Sequence, residues 1–183
     1  MNTVNAVDKQ HIAMVHTLLH HQYGELYADI WKLGVNLALR ISDLLRLQYA
    51  DLNLNERTVT LTEAKTGKRK TLRLNSTALA IINQRKTRHP DHTWLFEVTC
   101  NRAKQQPIHR SSVSRAFKAV GKQLGLTLST HSMRKSRGKA LYDDGVPIEK
   151  IAKVLNHSNT TSTLRYLGIT QEEVLKTYDE YEL

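Results

Sequence analysis

Apolar residues recur with a helical period along most of the chain and switch to alternation in one short stretch. In residues 7–22, Ile12, Val15, Leu18 and Leu19 fall on one side of a helix, and Asp8 is placed to cap its start. A second helix is predicted over residues 26–37. A third is predicted over 39–47, from Leu39, Ile41, Leu44, Leu45 and Leu47, while Arg40, Asp43 and Arg46 share another face three residues apart. The period then changes. Val59 and Leu61 alternate with threonines, Leu72 and Leu74 alternate with Thr71 and Arg73, and Lys65-Thr66-Gly67-Lys68 lies between them. That pattern predicts a β-hairpin with Lys65 at its tip or just before it.

Beyond the hairpin, Ser76 starts a helix over 76–87 with Leu79, Ile81 and Ile82 inward, and Pro90 closes it. Trp94-Leu95-Phe96 reads as a strand and residues 99–110 as a basic loop. Ser111 or Ser112 caps a helix carrying Val113, Phe117, Val120 and Leu124, which Gly125 ends. A helix over 131–144 stops at Gly145, and Pro147 opens another with Ile148, Ile151, Ala152 and Leu155 inward. Two short helices, 161–167 and 171–181, complete the chain. No internal repeat or linker interrupts it. The fold class expected is mainly α with a small antiparallel β-sheet (α+β), in a single domain over 1–183.

Composition narrows the function classes. With 183 residues, 40% hydrophobic and 24% charged, the chain has enough apolar content to bury a core, which excludes wholesale disorder. No apolar run reaches the roughly 20 residues that cross a bilayer, and the start lacks the pattern of a secretory signal. The single cysteine, Cys100, fits a reducing compartment, so the chain is expected in the cytoplasm. Charge is uneven. Residues 1–35 carry a net −1, residues 36–140 a net +15 and residues 141–183 a net −4. Self-repulsion in so cationic a block opposes compaction unless a polyanion is the partner, and nucleic acid is the leading candidate.

The candidate chemistry lies in that block and just after it. Arg40 sits inside Leu-Ala-Leu-Arg-Ile, where burial demands a paired acid or an anion. His131 and Arg134 share a helical face, His157 follows an apolar helix, and Tyr166 lies in Thr-Leu-Arg-Tyr-Leu-Gly. None is decisive alone. Together, two arginines, a hairpin lysine, two histidines and a tyrosine describe a phosphodiester site that needs no metal. Guanidinium forks stabilise charge on the non-bridging oxygens, a phenol can displace a ribose oxygen if its proton is accepted, and a lysine can serve as the acid.

The order of these residues is similar to that of the tyrosine recombinases, or phage-type integrases. The resemblance rests on Leu-Ala-Leu-Arg-Ile-Ser-Asp-Leu-Leu from residue 37, Lys-Thr-Gly-Lys from 65, His-Ser-Met-Arg from 131, Leu-Asn-His-Ser from 155 and Thr-Leu-Arg-Tyr-Leu from 163. It implies a site-specific DNA recombinase that cleaves and rejoins strands through a 3′-phosphotyrosine, without metal, ATP or other cofactor. Arg40 and Arg134 would clamp the scissile phosphate and Tyr166 would attack it. His131 would hydrogen-bond the phosphate and help take the phenol proton, Lys65 would protonate the leaving 5′-oxygen, and His157 would hold a non-bridging oxygen. Asp43 matches an acidic position that supports the arginines. The partner implied is double-stranded DNA, with self-assembly as a tetramer on it, a monomer when free, no membrane, and a nucleoid setting in a bacterium or phage. Lys68, Arg69, Arg102, Lys104, Arg110, Arg115, Lys118 and Lys135 are candidate DNA contacts.

Two positions depart from the family pattern: Asn156 where glycine is usual and Lys135 where histidine is common. Only 39 residues precede Arg40, so the N-terminal clamp domain of about a hundred residues is expected to be absent. The acidic segment 168–183 is expected to be a helix docking either on a neighbouring subunit or on its own domain. From the other function classes, residues 145–167 also resemble a noncatalytic helix-turn-helix regulator, and a DNA-relaxing topoisomerase of type IB would use the same phosphotyrosine chemistry.

Overall fold

The computed structural model describes residues 6–100 and 103–169, together with positions 175 and 179. Among the described residues, α-helices and two small antiparallel sheets follow in the order α1 (Lys9–Tyr23), α2 (Glu25–Leu37), α3 (Ile41–Leu45), β1 (Leu52–Asn53), β2 (Thr58–Thr62), β3 (Arg69–Arg73), α4 (Ser76–Arg88), β4 (Glu97–Cys100), β5 (Ala103–Pro107), α5 (Arg110–Gln123), α6 (Ser132–Asp143), α7 (Ile148–Val154) and α8 (Thr160–Leu167). Asp8 caps α1, accepting the His11 N–H at 2.7 Å. α2 is apolar almost all round and lies at the centre, with Ile30, Trp31 and Leu33 fully buried. The Trp31 indole meets the Phe117 ring edge-on at 5.2 Å, which ties α2 to α5, and its N–H donates to Ile12 O.

Four sequence expectations are corrected. The helix read over 39–47 is only the five residues of α3, because Ala38 turns left-handed (φ 52°) and sends Leu39 and Arg40 into extended backbone before the helix restarts. The strand read at residues 94–96 shrinks to one bridge between Trp94 and Gln48, and the basic loop over 99–110 is instead the β4–β5 hairpin. A bulge between Val98 and Cys100 and a left-handed Gln105 break the alternation that would have revealed these strands. Neither Ser111 nor Ser112 caps α5; His109 does, accepting the Ser111 N–H on Nδ1. The helix read over 171–181 lies outside the described residues.

The hairpin expected around Lys65 is present as β2 and β3, pairing Val59 with Leu72 and Leu61 with Lys70, and β1 adds a third strand along β2. The buried apolar residues form two clusters. The larger joins α1–α5 and the sheets; the smaller joins Ala38, at the end of α2, to Ile151 and Leu155 at α7 and Leu167 at α8. α6 bridges them through close approaches at two glycines. A Cβ on Gly34 of α2 would lie 2.2 Å from Met133 Sδ, and one on Gly138 of α6 would lie 2.9 Å from Leu167 Cδ2. These contacts bring the helix carrying Arg134 against the elements carrying Arg40 and Tyr166.

Candidate active site

Arg40 stands at the N-cap of α3 in extended backbone, two residues after the left-handed turn at Ala38. Its Nη1 lies 3.0 Å from Oε2 of Glu63, a carboxylate only 1% exposed. Glu63 was not singled out in the sequence, yet its signal is there: it continues the inward register of Val59 and Leu61 one step past the end of β2. Burial alone would raise its pKa. Hydrogen bonds from Thr66 and Asn156 and the charge of Arg40 outweigh that and hold it below its ordinary value.

Arg134 is 3% exposed and donates to Ala38 O at 2.7 Å, so the same turn that precedes Arg40 anchors the second guanidinium. Burial, and then the charge of Arg40, lower its pKa from 12.5, opposed by Tyr166, Glu63 and Asp43. Each guanidinium feels the other's charge, a repulsion that a phosphate diester held between them would relieve.

Tyr166 on α8 points into this cluster. Its hydroxyl donates to His131 O at 3.4 Å, and the Arg134 guanidinium lies close enough for its charge to bear on the phenol. Burial pushes its pKa up to about 12, against the pull of both arginines. The His157 ring stands edge-on to the tyrosine ring at 5.0 Å, with Nδ1 3.0 Å from Oγ1 of Thr163, a fully buried residue on α8. Desolvation lowers the pKa of His157 and of His131, and the arginines lower both further. Both imidazoles are therefore mainly neutral at pH 7. Thr163 is the second residue the sequence reading missed, since a threonine in a Thr-rich helix start carries no distinctive signal.

The hairpin contributes less directly than expected. Lys65 is solvent-exposed on the turn. Its neighbours are held: Ala64 N donates to Asp43 Oδ1 at 3.0 Å, and Thr66 Oγ1 donates to Glu63 Oε2 at 2.8 Å. Asp43 is thus buried beneath the hairpin and supports it. Lys70, which the sequence reading passed over, is a lysine that faces the site. It shares the inward side of β3 with Leu72, donates from Nζ to Val154 O at 2.8 Å, and has its pKa lowered by burial, with Arg134 and Arg40 adding to the effect and Glu63 and Asp43 opposing it.

Of the candidate DNA contacts, Lys68 and Arg69 are exposed on the hairpin, and Arg110, Arg115 and Lys118 are exposed on α5. Arg110 lies close enough to His131 for its charge to bear on the imidazole. Lys135 is half-buried, with Nζ 5.3 Å from the centre of the Tyr166 ring. Lys104 falls on β5, and Arg102 lies outside the described residues. Among the described residues, no three His, Cys, Asp or Glu side chains are grouped to hold a metal ion, and no helix is long and apolar enough to cross a membrane.

Residues 8–173 match the phage integrase family. A probable integrase/recombinase of Bacillus subtilis, YoeC, is 35% identical over 147 residues, covering 79% of this chain and 78% of that protein. Tyrosine recombinase XerA of Pyrococcus horikoshii is 27% identical over 146 residues, covering 79% of this chain and 51% of that one. The chain thus spans about half the length of several curated relatives it matches. Among solved structures, XerA recombinase superposes with a TM-score of 0.73 at 14% identity, covering all of this chain and 67% of that one. A lambda integrase fragment bound to a core site superposes at 0.71 and 17% identity, covering 91% and 60%. These likenesses give the fold, the family match covers the site from Arg40 to Tyr166, and the chain belongs to the phage integrase family.

Proposed function

We propose that this chain is the catalytic part of a site-specific DNA recombinase that breaks and rejoins strands through Tyr166. The observation that carries the reading is that Arg40, Arg134, His131, His157 and Tyr166, spread over more than 120 residues of sequence, converge on one cationic cluster. Arg40 and Arg134 hold the non-bridging oxygens of a backbone phosphate. Tyr166 Oη attacks phosphorus in line; the Oη–P bond forms, the P–O5′ bond breaks, and the strand is held as a 3′-phosphotyrosine. The phenol proton passes to the His131 imidazole, which is neutral and available, while Lys65 protonates the departing 5′-oxygen. His157, oriented by Thr163, donates to a phosphate oxygen. Attack by a second strand's 5′-hydroxyl reverses the steps, and the retained ester makes ATP unnecessary.

DNA is the substrate favoured by the net +15 of residues 36–140 and by solved relatives that are DNA complexes. On DNA the protein assembles as a tetramer. A helix-turn-helix regulator is disfavoured, because α8 turns Thr163 and Tyr166 toward His157 and the arginines instead of presenting a recognition face. The test uses nicked duplexes whose sequence is randomised around the nick. Wild type should trap a covalent adduct visible on a denaturing gel, and the captured ends should share a sequence. Supercoil relaxation without exchange between two captured sites would move the reading to a topoisomerase.

A further inference from the structure

One buried carboxylate ties together three of the motifs that carry the site. Oε2 of Glu63 forms an ion pair with the Arg40 guanidinium at the start of α3 and accepts hydrogen bonds from the Thr66 hydroxyl of the hairpin turn and the Asn156 side-chain amide of the turn between α7 and α8. Asn156 is one residue before His157 and is itself left-handed (φ 48°), a conformation glycine takes freely and asparagine tolerates. At this position, where the family pattern has glycine, asparagine keeps the backbone and adds a donor aimed at Glu63. Lys70 makes a second staple between the same two elements, from β3 to the carbonyl of Val154. Lys65 sits between Ala64, pinned by Asp43, and Thr66, pinned by Glu63.

We infer that Glu63 is a positioning residue that latches the Lys65 hairpin to the His157 turn, so that the acid for the leaving oxygen is held against the site. This rests on the strand-transfer reading above. Arg40 then has two jobs: it grips phosphate, and in the free protein it supplies part of the charge that keeps Glu63 ionised where it is buried. Without the latch, Lys65 remains on a solvated turn whose glycine, Gly67 (φ 66°), restricts it little.

The test compares DNA with an ordinary 5′-oxygen at the scissile position and DNA with a bridging 5′-sulfur there. A thiolate leaves without being protonated, so the sulfur substrate does not need Lys65. Glu63→Gln should slow single-turnover cleavage of oxygen DNA by about 10- to 100-fold, and Asn156→Gly by a smaller factor. On sulfur DNA both should return to within about threefold of wild type, as Lys65→Ala should, whereas Arg134→Ala should not recover. Full-rate cleavage of oxygen DNA by Glu63→Gln, or equal losses on both substrates, would overturn the latch. If Glu63→Gln fails to fold by circular dichroism, Thr66→Val and Asn156→Gly each remove one arm and carry the same comparison. Absence of adduct from wild type on both DNAs would instead overturn the strand-transfer reading, and the latch with it.

Discussion

The Tyr166 hydroxyl lies 3.4 Å from the backbone carbonyl oxygen of His131, so the proposed nucleophile is held by the main chain of the residue whose imidazole is proposed to take its proton. With its pKa pushed up to about 12, the tyrosine is a phenol at neutral pH. It needs a base. His131 is held below its ordinary 6.5 by burial and by Arg134, Arg110, Arg40 and Lys135, so it stays neutral in more acidic solution than a free imidazole does.

The pH profile follows from that. The second-order rate of adduct formation, which reports the free protein, should fall on the acid side with a midpoint below 6.5. His131→Ala should lower the plateau and abolish that limb. The same depressed values act on stability. Because both histidines bind protons less readily folded than unfolded, the unfolded chain takes up more protons as pH falls below 6.5, and unfolding free energy should decline through that window. Urea titrations at pH 7 and pH 5 check the sign.

Arg134→Lys keeps the charge but loses the planar fork that reaches Ala38 O and that the proposed clamp on phosphate needs. Cleavage should drop by about 10²-fold or more, with DNA affinity falling much less. Single-turnover gels and gel shifts on one DNA separate the two.

Thr163→Val removes the partner of His157 Nδ1, a hydroxyl that is itself fully buried. Cleavage should slow by about tenfold and stability should drop by about 1–2 kcal/mol. Thr163→Ser should restore most of both.

Lys68 and Arg69 are exposed on the hairpin that flanks the cluster. Replacing each with alanine should weaken binding on every duplex and reduce the slope of log K against log salt by about 1 per residue. A loss confined to one sequence would assign them to base reading instead.

Away from the site, a Cβ on Gly121 would meet Leu126 O at 2.7 Å and Leu128 Cβ at 2.8 Å, neither of which is the end of a flexible side chain. Gly121→Ala should cost about 1–3 kcal/mol and lower Tm by several degrees. Adduct yield per folded molecule should be unchanged.

The helices and the β2–β3 hairpin were legible because their periods are clean: Val59, Leu61 and Leu72 alternate, and the caps at Asp8 and Gly145 fall where the apolar faces end. The β4–β5 hairpin was not, because Lys104, Gln105 and Gln106 show no alternation and a bulge shifts the register. The break before α3 was hidden too, since a left-handed alanine leaves no mark in composition. At the site, motif order pointed to Arg40, Arg134, His131, His157 and Tyr166, which the fold gathers. It passed over Glu63 and Lys70, whose placement depends on extending strand parity past the last apolar residue, and it gave Lys65 a closeness to the cluster that its exposed turn does not show. Lys135 was read as a DNA contact from its charge, and its position over the Tyr166 ring depends on how α6 meets α8.

The most direct measurement is chemical identification of the residue that carries DNA. Adduct trapped on a nicked duplex is digested with nuclease and protease, and the modified peptide is sequenced by mass spectrometry. A nucleotide joined through its 3′-phosphate to Tyr166, absent from Tyr166→Phe, is the result predicted here. A nucleotide on Tyr178, Tyr181 or any other side chain, or a 5′-phosphate linkage, would contradict it.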